Sequence, residues 1–105
     1  MRRKYKTKEA ELEEMLVDKI TNLGGIAWKF VSPGTVGVPD RIVMINGKLV
    51  FVEMKRPSKQ MTEIQKWRRQ QIEREGFEVM CLNSEEQVAE FVERIIKERK
   101  YTDAI

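Results

Sequence analysis

Asn46-Gly47 separates two apolar runs, "DRIVMI" and "KLVFVEMK", and this pairing restricts the chain more than any other feature. A type I′ turn needs positive φ at both central residues, which Asn-Gly supplies, so the runs are expected to form an antiparallel hairpin with a two-residue loop. Side chains alternate along a strand, placing Leu49, Phe51, Glu53 and Lys55 on one face and Val50, Val52 and Met54 on the other. Both faces are apolar up to Glu53, as in a sheet covered by helices on both sides. A carboxylate and an ammonium projecting from the end of such a strand are costly unless they are paired or hold a metal. Asp40, after Pro39, opens the partner strand and is expected near the same end of the sheet.

Around this hairpin the periodicity predicts helices and two further strands. Leu12, Met15, Leu16, Ile20 and Leu23 form a helical stripe over about residues 8–23, which Gly24-Gly25 stops. "IAWKFV" is a strand, followed by the loop "SPGTVGVP". Thr62 and Gln65 fit a capping box that opens a second helix running to about Glu75. "FEVMCL" is the next strand. Ser84 and Gln87 form a second box before a helix whose stripe is Val88, Phe91, Val92, Ile95 and Ile96. The order is α-β-β-β-α-β-α: an α/β fold with a mixed central sheet flanked by helices. With 105 residues the chain is expected to be one domain, residues 1–105, with a basic arm at 1–8 and a fraying tail at 98–105.

Composition removes several kinds of chemistry. The chain has no histidine and one cysteine, Cys81, so histidine-based triads, zinc sites built on histidine, an imidazole base and an internal disulfide are all excluded. No apolar run approaches the ~20 residues of a membrane span, and no apolar segment follows the basic N-terminus as in a secretory signal. A cytoplasmic setting is expected. Net charge is +3, with the cations clustered: Arg2, Arg3, Lys4, Lys6 and Lys8 at the N-terminus, and Lys55, Arg56, Lys59, Lys66, Arg68 and Arg69 in the middle. Such clusters suit a polyanion, or a solvated surface. Two carboxylates converging beside a lysine, with no histidine, suit a hard cation such as Mg2+ or Mn2+. The plainer alternative is a Glu53–Lys55 pair solvated at a sheet edge, with Asp40 as a turn residue.

"GVPDR", followed thirteen residues after Asp40 by Glu53 in "FVEMKRP", resembles the PD-(D/E)xK nuclease signature, which belongs to a restriction-endonuclease-like core. More narrowly, "LGGIAWKFVSPGTVGVPDRIVMINGKLVFVEMKRP" with the downstream Gln65-x-Trp67 resembles the virus-type replication-repair nuclease (VRR-NUC) domain in its small, stand-alone form. The similarity runs from the first helix through "FEVMCLNS". It implies Asp40 and Glu53 as metal-binding carboxylates, the backbone carbonyl of Met54 as a further ligand and Lys55 as the catalytic lysine. It also implies a glutamate on the first helix, which the "LGG" register places at Glu13, acting directly or through water, with Glu14 and Glu11 as competitors. Gln65 matches a family glutamine. Lys29, Ser32, Arg41, Arg56 and Lys59 are expected to face DNA. Trp67 is expected in the core rather than as a base-stacking platform.

The activity implied is hydrolysis of DNA phosphodiesters with one or two Mg2+ or Mn2+ ions per site, with no small-molecule cofactor and no membrane partner. If the chain is phage-encoded, the compartment is the host cytoplasm. A chain this short has no room for separate recognition domains, so a homodimer cutting four-way junctions in the manner of a Holliday junction resolvase is the first reading. A nickase or a flap- or end-processing nuclease is the alternative within the class. A non-catalytic DNA-binding module that keeps the fold is the reading from outside it.

Overall fold

The computed structural model describes residues 7–103, with side chains as far as residue 99. Seven elements follow in the order read from the sequence: α1 (Lys8–Asn22), β1 (Ile26–Lys29), β2 (Arg41–Ile45), β3 (Lys48–Met54), α2 (Glu63–Arg74), β4 (Glu78–Leu82) and α3 (Glu85–Asp103). The basic arm lies mostly outside the described residues. At the other end, α3 runs to Asp103.

The four strands lie in sequence order. β1–β2 and β2–β3 are antiparallel and β3–β4 is parallel, so the sheet is mixed. The turn between β2 and β3 has Asn46 at φ 56° and Gly47 at φ 74°, both left-handed, as a type I′ hairpin requires. This fixes the register Arg41↔Val52 and sets Asp40 beside the end of β3. β1 stops at Lys29, two residues short of the sequence reading. The amide of Phe30 still donates to the carbonyl of Asp40 at 2.7 Å, which anchors the backbone at that carboxylate.

The two faces of the sheet are covered unequally. Leu12, Leu16 and Ile20 of α1 and Val88, Phe91, Val92 and Ile95 of α3 pack on Val43, Ile45, Val50, Val52, Met54 and Leu82. Leu16, Ile20, Val52 and Met54 are fully buried, and each such side chain contributes roughly 1.5–3 kcal/mol. The opposite face, with Phe51, Val79 and Glu53, is covered by α2, which buries none of its own residues. Phe30, Phe51 and Phe77 stack along that face.

Trp67 on α2 is the clearest correction to the sequence reading. It is 48% exposed, with the Arg68 guanidinium 4.8 Å above its ring. Its spacing from Ile64 marks a helix face, but that face looks outward. Among the described residues no helix is long and apolar enough to cross a membrane.

Candidate active site

Asp40 and Glu53 meet at the end of the β2–β3 hairpin. Asp40 Oδ2 accepts the backbone N–H of Met54 at 2.8 Å, holding the first carboxylate across the strand that carries the second. Lys55 follows directly, its own amide bonded to the carbonyl of Leu82 at 2.9 Å, so the β3–β4 ladder continues past Met54 and fixes the lysine's backbone. The backbone of Met54 is thereby held between Asp40 and the β4 edge.

Gln65 reaches this centre from α2. Its side-chain oxygen accepts the Thr62 amide at 2.9 Å while its Nε2 donates to Glu53 Oε1 at 3.3 Å. One residue therefore closes the capping box and orients a carboxylate. Glu53 is 2% exposed, and its Oε2 has no hydrogen-bond partner among the described residues.

An unpaired buried carboxylate is expensive. Burial first, and the neighbouring Asp40 second, push the Glu53 carboxyl up to about 8, while the Lys55 ammonium works in the opposite direction. When protonated, Glu53 can share its proton with Asp40. When both groups are ionised, the second oxygen needs a donor or a cation to offset its burial. Burial, and then Glu53, also push the Cys81 thiol up, because Cys81 lies opposite Glu53 on β4.

These observations fit a hard divalent cation at Asp40 and Glu53. The donors are oxygens, two charges converge, and a buried oxygen lacks a partner. Among the described residues no group of three or more Asp, Glu, Cys or His side chains is gathered for a metal. Asp40 and Glu53 are thus a pair of converging carboxylates, not a preformed cluster of three.

Glu13, the expected helix glutamate, is held by an ion pair. Glu13 Oε1 accepts Arg41 Nε at 2.7 Å, and Arg41 also donates to the carbonyl of Ala27 at 3.1 Å. Glu13 is thus tied to an arginine, and Arg41, placed beforehand among DNA contacts, is turned inward with its side chain 14% exposed. The α1 carboxylate whose charge acts on Glu53 is Glu9, one turn earlier, which lines a groove with Lys55, Arg56, Lys59, Gln60 and Thr62. The sequence did contain a signal for Glu9, since it lies four residues before Glu13 and so on the same helix face. Of the competitors, Glu11 pairs with Lys8 at 3.4 Å, and Glu14 and Glu11 line a separate surface with Met15, Asp18 and Lys19.

The expected DNA-facing residues fall into three groups. Arg56 and Lys59 border the groove at Lys55, held by a turn in which the Lys59 amide donates to the Arg56 carbonyl at 3.1 Å. Ser32 lies in the loop before Asp40, its carbonyl accepting the Thr35 amide at 3.1 Å. Lys29 is exposed at the end of β1, opposite Arg41 in register.

A mixed sheet of this order, with two carboxylates and a lysine at the end of its central hairpin, is the arrangement expected of a PD-(D/E)xK nuclease. A solved structure titled "VRR_NUC domain" matches with a TM-score of 0.78 and 27% identity, over 84% of this chain and 97% of that one. A curated protein of Acyrthosiphon pisum secondary endosymbiont phage 1, described as "Putative nuclease p44", is 42% identical over 80 residues, spanning 75% of this chain and 86% of that protein. No family model matches the sequence. The chain belongs to the VRR-NUC family of nucleases.

Proposed function

We propose that this nuclease is a divalent-cation-dependent endonuclease that cuts DNA at branched structures, four-way junctions first, as a homodimer. The observation that carries the cation dependence is the Asp40–Glu53 pair, with Glu53 Oε2 buried and unpartnered beside Lys55.

Asp40, Glu53 and the Met54 carbonyl would hold Mg2+ or Mn2+, one or two ions per site. When bound, such an ion lowers the pKa of a water and offsets charge on the reacting phosphate. Lys55 orients the attacking water and places positive charge where negative charge grows. Gln65 holds Glu53 in the rotamer that faces Asp40. Glu9 supplies a further carboxylate at the rim of the site, and its position supports it over Glu13 for the role of helix glutamate. Arg56 and Lys59 bind the flanking phosphates, a contribution that weakens with salt.

Junction cutting as a dimer is supported by exposed apolar surface. Val36 and Trp67, 71% and 48% exposed, share the surface around Arg68, and a symmetric dimer built there would present two sites to two strands. The test is purified protein with labelled four-way junction, flap, duplex and single strand, in Mg2+, Mn2+ or EDTA. Paired cuts in opposed strands of the junction, abolished by EDTA, are expected. Undiminished cutting in EDTA would overturn the cation dependence, and equal cutting of all four substrates would overturn the junction preference.

A further inference from the structure

Arg41 and Glu13 join α1 to the sheet immediately behind Asp40. Strand alternation turns Arg41 to the face of Val43 and Ile45, where α1 packs. Its guanidinium bridges two elements at once, giving Nε to Glu13 at 2.7 Å and a terminal nitrogen to the Ala27 carbonyl at 3.1 Å. The two side chains are 14% and 23% exposed, so this is a largely desolvated pair.

A part-buried pair of this kind is rarely favoured for stability alone, because apolar residues of similar volume do about as well. It does impose geometry. The planar arginine fork fixes both the distance and the angle of its partners. The fully buried residues of α1 begin at Leu12, and none lies in the first turn, where Ala10 is only half-buried, so the polar link at Glu13 adds direction to that turn. That turn carries Glu9, on the same helix face as Glu13 and in the groove with Lys55.

We propose that the Glu13–Arg41 pair is a positioning device that sets the approach of the first turn of α1, so that Glu9 stands at the rim of the Asp40–Glu53 site. This rests on the cation-binding reading of that site. Neither residue touches the reacting atoms. Their effect passes through Glu9.

The experiment combines two readouts on wild type, Glu13→Gln, Arg41→Lys, Glu9→Gln and the Glu9→Gln/Glu13→Gln double variant. The first is Mn2+ binding by calorimetry, with melting temperature as a control for folding. Glu13→Gln and Arg41→Lys should each weaken Mn2+ binding about tenfold, the scale of supporting residues around metal sites. In the Glu9→Gln background, Glu13→Gln should cost nothing further, since the residue through which it acts is already gone. If Glu13→Gln kept its full effect there, it would be acting by its own charge or by general destabilisation, and the proposal would be overturned.

The second readout is amide exchange at Ala10, Glu11 and Leu12 in EDTA, which needs neither metal nor DNA. Exchange there should quicken in Glu13→Gln and Arg41→Lys while the amides of Leu16 and Ile20 stay protected. Unchanged exchange in both variants would overturn the device. A wild type that bound no Mn2+ would sink the cation-site reading, and with it the role assigned to Glu9, whatever the exchange result.

Discussion

The carboxylate of Asp40 and the amide of Met54, 2.8 Å apart, tie the first acidic residue of the site to the strand that carries the second. Asp40 therefore has a structural bond as well as the chemical role proposed for it, and two substitutions separate them. Asp40→Ala leaves the Met54 N–H without its partner and should cost about 1–3 kcal/mol of stability in addition to activity. Asp40→Asn can still accept that N–H and should melt near wild type, yet lose cleavage by at least about a hundredfold, because the second charge is gone. Thermal melts and single-turnover cleavage of the two variants check this. An Asn variant as active as wild type would remove Asp40 from the chemistry.

Glu53 makes stability depend on pH in an uncommon direction. Unfolded, it titrates near its ordinary value of 4.5; in the folded, cation-free protein, near 8. Between these values the folded chain keeps a proton that the unfolded chain has released, so stability from this group is full below about pH 4.5 and is lost as pH rises to 8. Denaturant titrations in EDTA should show a loss on the order of 2–4 kcal/mol across that window relative to Glu53→Gln. The Gln variant keeps a neutral side chain and should be the more stable at pH 8. A divalent cation should restore wild type and leave Glu53→Gln unchanged. Parallel pH profiles for the two proteins would contradict the raised carboxyl.

Lys55→Ala should slow cleavage of bound DNA far more than it weakens binding. One cation among Arg56, Lys59 and the other basic residues adds little affinity, while an ammonium at the reacting phosphate acts where charge develops. A drop of about a hundredfold or more in the single-turnover rate is expected, with the DNA dissociation constant changed by less than about fivefold. Loss of binding with an unchanged rate for bound DNA would make Lys55 a backbone contact.

The hairpin, the element order and the placing of Asp40, Glu53 and Lys55 at one sheet end were legible because each rests on a local rule. Asn46-Gly47 fixes the register, and a period of two then decides which strand residues share a face. Gln65 was legible twice over, as a cap and as a match to the resemblance. Glu9 and Trp67 were not, for one physical reason, and Arg41 was not for another. Periodicity shows which helix residues share a face, but not the angle at which the helix crosses the sheet. The placing of each helix on the sheet decides which α1 carboxylate shares a groove with Lys55, and whether the stripe through Ile64 and Trp67 faces Phe51 or solvent. Arg41 read as a surface cation because sequence cannot show that the carbonyl of Ala27 and the carboxylate of Glu13 wait on the inward side.

Gly37 provides a test of how the loop before Asp40 is held. Its φ is +87°, a conformation that L residues seldom adopt, and an added Cβ would lie 2.9 Å from Ile64 Cγ1 and 3.2 Å from the Ile64 backbone. Next to it, Arg68 Nε donates to the Val36 carbonyl at 2.6 Å. The loop is thus pressed onto the same stretch of α2 that sends Gln65 to Glu53. Gly37→Ala should cost about 1–3 kcal/mol and also lower the cleavage rate at temperatures where the variant remains folded. Gly34→Ala has positive φ but open space around it, so it should carry the backbone cost without the effect on rate. Equal rates for the two variants would show that the clamp on α2 does not reach the site.

Val36 and Trp67 share the surface around Arg68, which bonds the carbonyl of one and lies over the ring of the other. With Ile64 at 41% exposure beside Gly37, they form an apolar patch next to the loop that leads to Asp40. An isologous dimer through this patch would set two sites in fixed relation, as paired cuts in a four-way junction require. Sedimentation at micromolar concentration should then give twice 12.4 kDa for wild type and a single 12.4 kDa chain for Trp67→Glu or Val36→Asp. These variants should still nick one strand of a junction in Mg2+ but no longer cut both opposed strands within one binding event. A wild type that sediments as a monomer on and off DNA, and cuts flaps as fast as junctions, would end the resolvase reading and leave the nuclease centre at Asp40, Glu53 and Lys55 untouched.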